Sequence, residues 1–223
     1  MQLAEAMQQL EEMGTAQNRK VYKRHGVSGD QFGVSVANLK KLKKQIKVDQ
    51  QLAESLWQTG NYDARYLATM IADPRQINGA TLESWTKDLD NYVITDTFSG
   101  LVSNTGLARQ KMEAWTKSDD EWIGQAGWNL LAHIALRDKS LPDDYFRPYL
   151  KTIETDIHKR KNRVRYSMNS ALIAIGMRNE TLQAEAVAVA QKIGKVEVDH
   201  GQTSCKTPDA VEYIHRAVAR KQK

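Results

Sequence analysis

The sequence predicts an all-α fold built from stacked helical repeats. The first observation is an internal repeat, in which the stretch at residues 83–96 is echoed at residues 113–122. In an ungapped alignment Trp85 recurs as Trp115, and Tyr92 is answered by a second aromatic residue thirty positions later. The second observation is composition, since 41% of the 223 residues are hydrophobic and only four are proline. An aromatic pair that recurs at a fixed period is typical of helical units that stack on one another.

The helices follow in order from apolar residues spaced three or four apart and from the residues that end helices. In the first helix Leu3, Ala6 and Leu10 lie on one face. Residues 196–208 have no helical period, and we predict an ordered segment that closes a single domain, residues 1–223. Further helix ends are marked by Gly60, Pro74, Gly176 and Gly194. The predicted helices cover residues 3 to about 14, 15–25, 37–47, 52–57, 63–71, 82–89, 92–101, 108–116, 121–136, a short piece between Pro142 and Pro148, 150–158, 166–175, 182–193 and 209–220.

Several classes of protein are not supported by the sequence. No apolar run reaches the roughly 18 residues that cross a bilayer, and the N-terminal stretch has no signal-peptide hydrophobic region. The single cysteine, Cys205, excludes an intramolecular disulfide and fits a reducing compartment, so we expect a cytoplasmic protein. Phosphate-loop, nucleophile-elbow, paired-cysteine and HExxH motifs are absent from the sequence. Asp199, His200 and Cys205 match no standard zinc spacing, so we predict neither a metal nor a cofactor.

The net charge of +5 is unevenly distributed along the chain. Residues 14–47 hold nine Lys and Arg against one acid, and residues 158–223 hold thirteen against six. Residues 48–157 hold ten against seventeen. Two basic flanks around an acidic middle indicate a polyanion as partner, bound through its phosphates. The alternative is that the lysine-rich helix faces are merely solvated.

Two clusters of cations are candidates for phosphate contacts. In the predicted helix 37–47, Lys40, Lys43 and Lys44 lie away from the apolar face. The run at residues 158–165 directly precedes a helix, where cationic side chains and free backbone N–H groups both favour a phosphate. The cations of this second run are Lys159, Arg160, Lys161, Arg163 and Arg165.

Several short stretches, taken together in their order and spacing, resemble the DNA alkylation repair family, the HEAT-like-repeat alkylpurine DNA glycosylases. This resemblance implies a C-shaped, monomeric solenoid whose concave basic face grips double-stranded DNA. The closing segment, residues 196–208, also looks like one branch of that family. The stretches are FGVSV from Phe32, LAESLW from Leu52 with Ala64-Arg65, Trp85 to Asp96, QAGW from Gln125, Ala171-Leu172, Ile175-Gly176 and Arg178-Asn179.

The resemblance also implies site residues. In active members a carboxylate and two tryptophans line the groove that holds the damaged nucleotide, and an arginine holds the backbone. The carboxylate position falls on Asp96 and the first tryptophan position on Tyr92. The arginine position falls on Gln125, and the second tryptophan position on Ser170, or on Asn169 in a shifted register. A purely structural alternative for Asp96 is that its side chain caps a helix.

Three functions remain open at this stage. The first is hydrolysis of the N-glycosidic bond of N3- or N7-alkylated purines, with Asp96 and Tyr92 stabilising positive charge on the sugar. The second is a non-catalytic relative that binds damaged, bent or branched DNA, because Gln125 and Ser170 replace two of the four site groups. The third is a scaffold for protein partners.

Overall fold

The computed structural model describes residues 1–221, and the all-α prediction is confirmed. These residues contain no β-strand, and a single antiparallel bridge joins Gly14 to Val34. None of the described helices is long and apolar enough to cross a membrane. The helices are α1 (Leu3–Glu12), α2 (Ala16–Arg24), α3 (Val36–Ile46), α4 (Gln50–Gln58), α5 (Tyr62–Ile71), α6 (Gly79–Thr86), α7 (Tyr92–Val102), α8 (Ala108–Trp115), α9 (Glu121–Arg137), α10 (Arg147–Asp156), α11 (Asn162–Gly176), α12 (Glu180–Ile193) and α13 (Ala210–Lys221), with short 3-10 helices at Asp143–Tyr145 and Ile157–Lys159.

Side-chain caps explain where many of these helices begin. A capping oxygen satisfies backbone N–H groups that the first helical turn leaves without partners. Asn78 accepts from the backbone N–H of Thr81, so α6 begins three residues before its predicted start. Pro148 lies in the first turn of α10, where its missing N–H costs nothing. The caps of this kind are Thr15, Ser35, Asp49, Asn61, Asn78, Asn91, Asp120 and Asn179.

Two of the sequence predictions concern segments near the C-terminus. Residues 194–209 contain no helix, and the role of residues 196–208 in closing a single domain stays a prediction. In contrast, α11 begins at Asn162, four residues before its predicted start. Arg163 and Arg165 therefore lie in the first turn of α11, and the prediction that the whole basic run precedes this helix is wrong.

The chain divides into two compact units. The N-terminal unit comprises residues 1–108 with residues 201–203, and the C-terminal unit comprises residues 109–200 with residues 204 onward. The single domain predicted from the sequence stays a prediction.

A stacked pair of tryptophans lies in the core of the N-terminal unit. Trp57 and Trp85 are 1% and 3% exposed, and their rings are parallel with centroids 4.1 Å apart. Arg65 braces the pair, because its Nε donates to the carbonyl of Trp57 at 3.3 Å and its Nη1 to the carbonyl of Asp88 at 3.1 Å. The recurring tryptophan of the sequence repeat is thus a core residue, and so is its counterpart Trp115, which is 4% exposed.

A buried carboxylate fixes the loop between α2 and α3. Asp63 is completely buried and accepts backbone N–H groups of Phe32, Gly33 and Val34 at 2.7, 3.0 and 2.9 Å. Burial raises the pKa of Asp63, and these three bonds partly offset that rise. Gly33 has φ of 81°, and a Cβ there would lie 2.5 Å from the carbonyl oxygen of Thr15. The loop therefore needs both the carboxylate and the glycine.

We expect Asp63→Ala to lower the free energy of unfolding by about 3–5 kcal/mol, since it leaves three N–H groups without their acceptor. Chemical denaturation monitored by circular dichroism measures this. Asp119→Ala is the control, because that side chain is fully exposed and its loss changes stability by less than about 0.5 kcal/mol. A loss below about 1 kcal/mol in Asp63→Ala would contradict the anchoring role.

In the C-terminal unit, two further stretches quoted for the resemblance have structural roles. A Cβ at Gly127 would lie 2.4 Å from the backbone nitrogen of Thr116, so only glycine lets α9 approach the end of α8. Arg178 donates to the carbonyl oxygens of Ala135, Asp138 and Leu141 at 2.6, 2.8 and 3.0 Å. This guanidinium thereby caps the C-terminal end of α9.

Candidate active site and nucleic-acid interface

Asp96 lies on the exposed side of α7, in the N-terminal unit. Asn91 caps this helix, because its side-chain oxygen accepts the backbone N–H groups of Val93 and Ile94 at 3.1 Å each. Asp96 is the fifth residue of the helix, so the alternative that it is the capping residue is wrong. Tyr92 is the first residue of α7 and lies one turn before Asp96, on the same side of the helix. A carboxylate with this exposure is accessible to a ligand.

Four tyrosines and a histidine lie together next to this carboxylate, and we call them the tyrosine cluster. The rings of Tyr22 and Tyr62 have centroids 5.2 Å apart, and those of Tyr62 and Tyr66 are 6.2 Å apart. The fourth tyrosine, Tyr92, contacts His25, with ring centroids 5.9 Å apart. The cluster thus joins α2, α5 and α7.

The electrostatics of the cluster keep three of its phenols, those of Tyr22, Tyr62 and Tyr66, neutral. Burial raises the pKa of Tyr22 to about 12 and also raises the pKa of Tyr62. Burial raises the pKa of Tyr66 as well, and the negative charge of Asp96 adds to that rise. Asp96 therefore lies within electrostatic reach of the Tyr66 hydroxyl. Neutral, electron-rich rings beside a carboxylate favour positive charge.

Sequence reasoning proposed Tyr92 and Asp96 as site residues, and their catalytic role stays a prediction; it did not single out the other members of the cluster. Tyr62 and Tyr66 are spaced by four residues on α5, which places them on one side of that helix. That spacing was a signal, although it did not reveal that α2 and α7 lie beside them.

The two remaining site positions lie in the C-terminal unit. Gln125 is on α9 and is 2% exposed, so little of its side chain can reach a phosphate. Ser170 is on α11, where its hydroxyl donates to the carbonyl of Tyr166 at 3.1 Å. Asn169 is 1% exposed and donates to the carbonyl of Pro208 at 3.0 Å. None of the three supplies a cation or an aromatic ring, and their contacts with DNA stay predictions.

The lysine face of α3 is the clearest cationic surface of the N-terminal unit. Leu39 and Leu42 are completely buried on one side of the helix, and the lysines project on the other sides. Within residues 1–221, no acidic side chain forms an ion pair with Lys40, Lys43 or Lys44, all of which are exposed. These charges are thus available for phosphates.

The second basic run makes more contacts within its own unit. The Arg160 guanidinium donates to the carbonyl of Ser118, lies 3.8 Å from a carboxylate oxygen of Asp119 and is 22% exposed. Lys159 pairs with Asp156 at 3.4 Å. Lys161 is exposed, and Arg165 is half-buried with an Nη2 that donates to Asn162 at 3.5 Å.

The N-terminus of α11 differs from the predicted phosphate site. The backbone N–H of Arg163 donates to the carboxylate of Glu121 at 2.7 Å. A side-chain carboxylate therefore already occupies one of the amides that were predicted to be free, because a helix N-terminus attracts any nearby anion. The lysine face of α3 is the better candidate for backbone contacts.

The closing segment is held to α11 by side chains. Asn162 donates to the carbonyl of Asp199 at 2.8 Å and accepts the backbone N–H of that residue at 2.7 Å. His200 lies edge-on to Tyr166, with centroids 5.6 Å apart, and burial followed by the charge of Arg163 lowers its pKa. No group of three or more metal-binding side chains is found in the described part of the chain. Asp199 and His200 thus contact Asn162 and Tyr166 of α11.

The comparisons with known proteins decide the family. The model of the family described as DNA alkylation repair enzyme matches residues 6–214. This chain belongs to that family. The resemblance predicted from the sequence is confirmed.

Two relatives of this member of the DNA alkylation repair enzyme family have a similar length. The chain is 30% identical to an uncharacterized protein of Listeria innocua, Lin0241, and 31% identical to one of Listeria monocytogenes, Lmo0209. Each comparison covers 97% of this chain and 96% of the relative.

One solved structure is similar over nearly the whole chain. It belongs to a new family of proteins related to the HEAT-like repeat DNA glycosylases with affinity for branched DNA structures. The TM-score is 0.90 at 29% identity, and the match covers 99% of this chain and 95% of that chain. The predicted HEAT-like repeat fold is therefore confirmed.

Proposed function

We propose that this member of the DNA alkylation repair enzyme family binds DNA through the sugar–phosphate backbone and prefers branched DNA. The observation that carries the proposal is the lysine face of α3, where Lys40, Lys43 and Lys44 are exposed and have no acidic partner among residues 1–221. Lysines of this kind neutralise phosphates and release counterions. The affinity of the structurally similar protein for branched DNA supports the same preference here.

The candidate interface favours recognition of the shape of DNA over recognition of its base sequence. Contacts with phosphates position a protein on DNA but carry no base information. A branch point brings phosphates of more than one helix close together, so a cationic surface gains contacts there that a linear duplex does not offer. Recognition of this kind depends on the geometry and deformability of the DNA.

Fluorescence anisotropy with labelled four-way junctions and linear duplexes of equal length tests this proposal. We expect junction binding about tenfold tighter than duplex binding, with affinity for both falling steeply as salt rises. Equal affinity for the two DNAs would remove the preference for branches. Absence of salt-dependent binding would remove DNA as partner and favour the protein scaffold.

A second candidate function is excision of cationic alkylpurines, and the exposed Asp96 beside Tyr66 and Tyr92 favours it. An N3- or N7-alkylated purine already carries positive charge. As the bond from C1′ to the base nitrogen breaks, its electron pair neutralises the base and positive charge develops on the sugar. Water attacks C1′ and releases a proton to solvent. Asp96 would stabilise the sugar cation, and the ring of Tyr92 would add cation–π attraction.

A further inference from the structure

His25 is fixed at the C-terminal end of α2, immediately beside the site. It is the residue that follows the helix, and its backbone N–H donates to the carbonyls of Tyr22 and Val21 at 2.9 and 3.3 Å. Its ring nitrogen Nδ1 shares a hydrogen bond with the hydroxyl of Tyr92. The two rings are tilted by 52°. His25 thus connects α2 to the first residue of α7.

The hydroxyl of Tyr92 gives this contact its significance. Tyr92 is half-buried, and a hydroxyl that leaves water without a hydrogen-bond partner lowers stability. Nδ1 of His25 is that partner, either as acceptor of the phenol proton or as donor to the phenol oxygen.

Orientation of the Tyr92 ring matters for the chemistry. A cation is attracted to the face of an aromatic ring and only within about 6 Å of its centre. Tyr92 and Asp96 lie one turn apart on α7, so a ring held at its hydroxyl end keeps its face in a constant relation to the carboxylate.

We propose that His25 is a positioning residue, which holds Tyr92 so that its ring and Asp96 act together on one positive charge. This inference rests on the second candidate function, and it assigns His25 no contact with the reacting atoms. The same site would then prefer a sugar analogue that carries a positive charge over a neutral one.

The test compares two duplexes that differ in the charge of one abasic-site analogue. One carries a cationic pyrrolidine and the other a neutral tetrahydrofuran, and the ratio of the two Kd values reports the site separately from backbone affinity. We expect wild-type protein to prefer the cationic duplex, and His25→Leu to reduce that preference about fivefold with neutral-duplex affinity unchanged. His25→Asn is expected to retain it, because the amide can bond to the phenol. His215→Leu is the matched control on the exposed side of α13.

A double-mutant cycle separates positioning from a general structural effect. Tyr92→Phe keeps the ring and removes the hydroxyl, so it is expected to lose about the same preference as His25→Leu. The double variant is expected to lose no more than either single variant. Additive losses would overturn the proposal, and so would an unchanged preference in Tyr92→Phe, which remains informative even where His25→Leu folds poorly.

The outcomes also separate this inference from the function on which it rests. If wild-type protein shows no preference for the cationic duplex, both the excision function and the role of His25 are overturned. If wild-type protein shows the preference and His25→Leu retains it in full, the site stands and the role of His25 alone is overturned.

Discussion

Asp96→Asn is expected to reduce the release of N7-methylguanine from DNA by roughly two to three decades, the usual loss for one preorganised electrostatic group. The amide has the shape of the carboxylate without its charge, so under the excision proposal it would no longer stabilise a sugar cation. Asp96 is exposed on α7, and we expect neither the fold nor DNA affinity to change. Single-turnover base release from alkylated duplex DNA, followed by chromatography, measures the effect.

Asp90→Asn is the matched control for this experiment. Asp90 is also exposed, lies just before α7 and accepts from the side chain of Asn91 at 2.7 Å, a bond that an amide oxygen can retain. Equal base release by wild-type protein and Asp96→Asn would remove Asp96 from the mechanism. No release by either would remove the excision function and leave the binding function intact.

Replacing Lys40, Lys43 and Lys44 with glutamine is expected to weaken DNA binding by about 10- to 100-fold at low salt. The slope of log affinity against log salt is expected to fall by about three, or about one for each phosphate that the protein no longer neutralises. The physical reason is that each lysine releases counterions from the DNA on binding. Anisotropy titrations at several salt concentrations measure both quantities.

Three lysines outside the basic flanks serve as the control set. Lys87, Lys117 and Lys151 are exposed, and their joint replacement changes the net charge by the same amount. A nonspecific effect of net charge would weaken binding equally in both triple variants. That result would contradict a role for the lysine face of α3.

The helical fold could be predicted from the sequence because local signals decide where helices begin and end. The side chains of Asn78 and Asn91 cap the helices that follow them, and glycines mark several ends. The family resemblance rests on residues with local or packing roles, such as Arg178 at the end of α9 and Gly127 against the end of α8. Such local patterns can be recognised from the sequence alone.

The candidate site was less predictable, because the residues that contact one another there are distant in sequence. His25 and Tyr92 are 67 residues apart, and nothing in either segment signals their contact. Glu121 reaches the backbone N–H of Arg163 across 42 residues, so a helix terminus that was predicted to be free is occupied. Charge counts located the basic flanks, but they did not show that Arg160 already interacts with Ser118 and Asp119.

The parallel stack of Trp57 on Trp85 has an optical consequence. Two indole rings with centroids 4.1 Å apart are close enough for their electronic transitions to couple, so the pair absorbs light differently from two separate tryptophans. Because both rings belong to the N-terminal unit, this coupling is an intrinsic spectroscopic label for the half of the chain that carries Asp96.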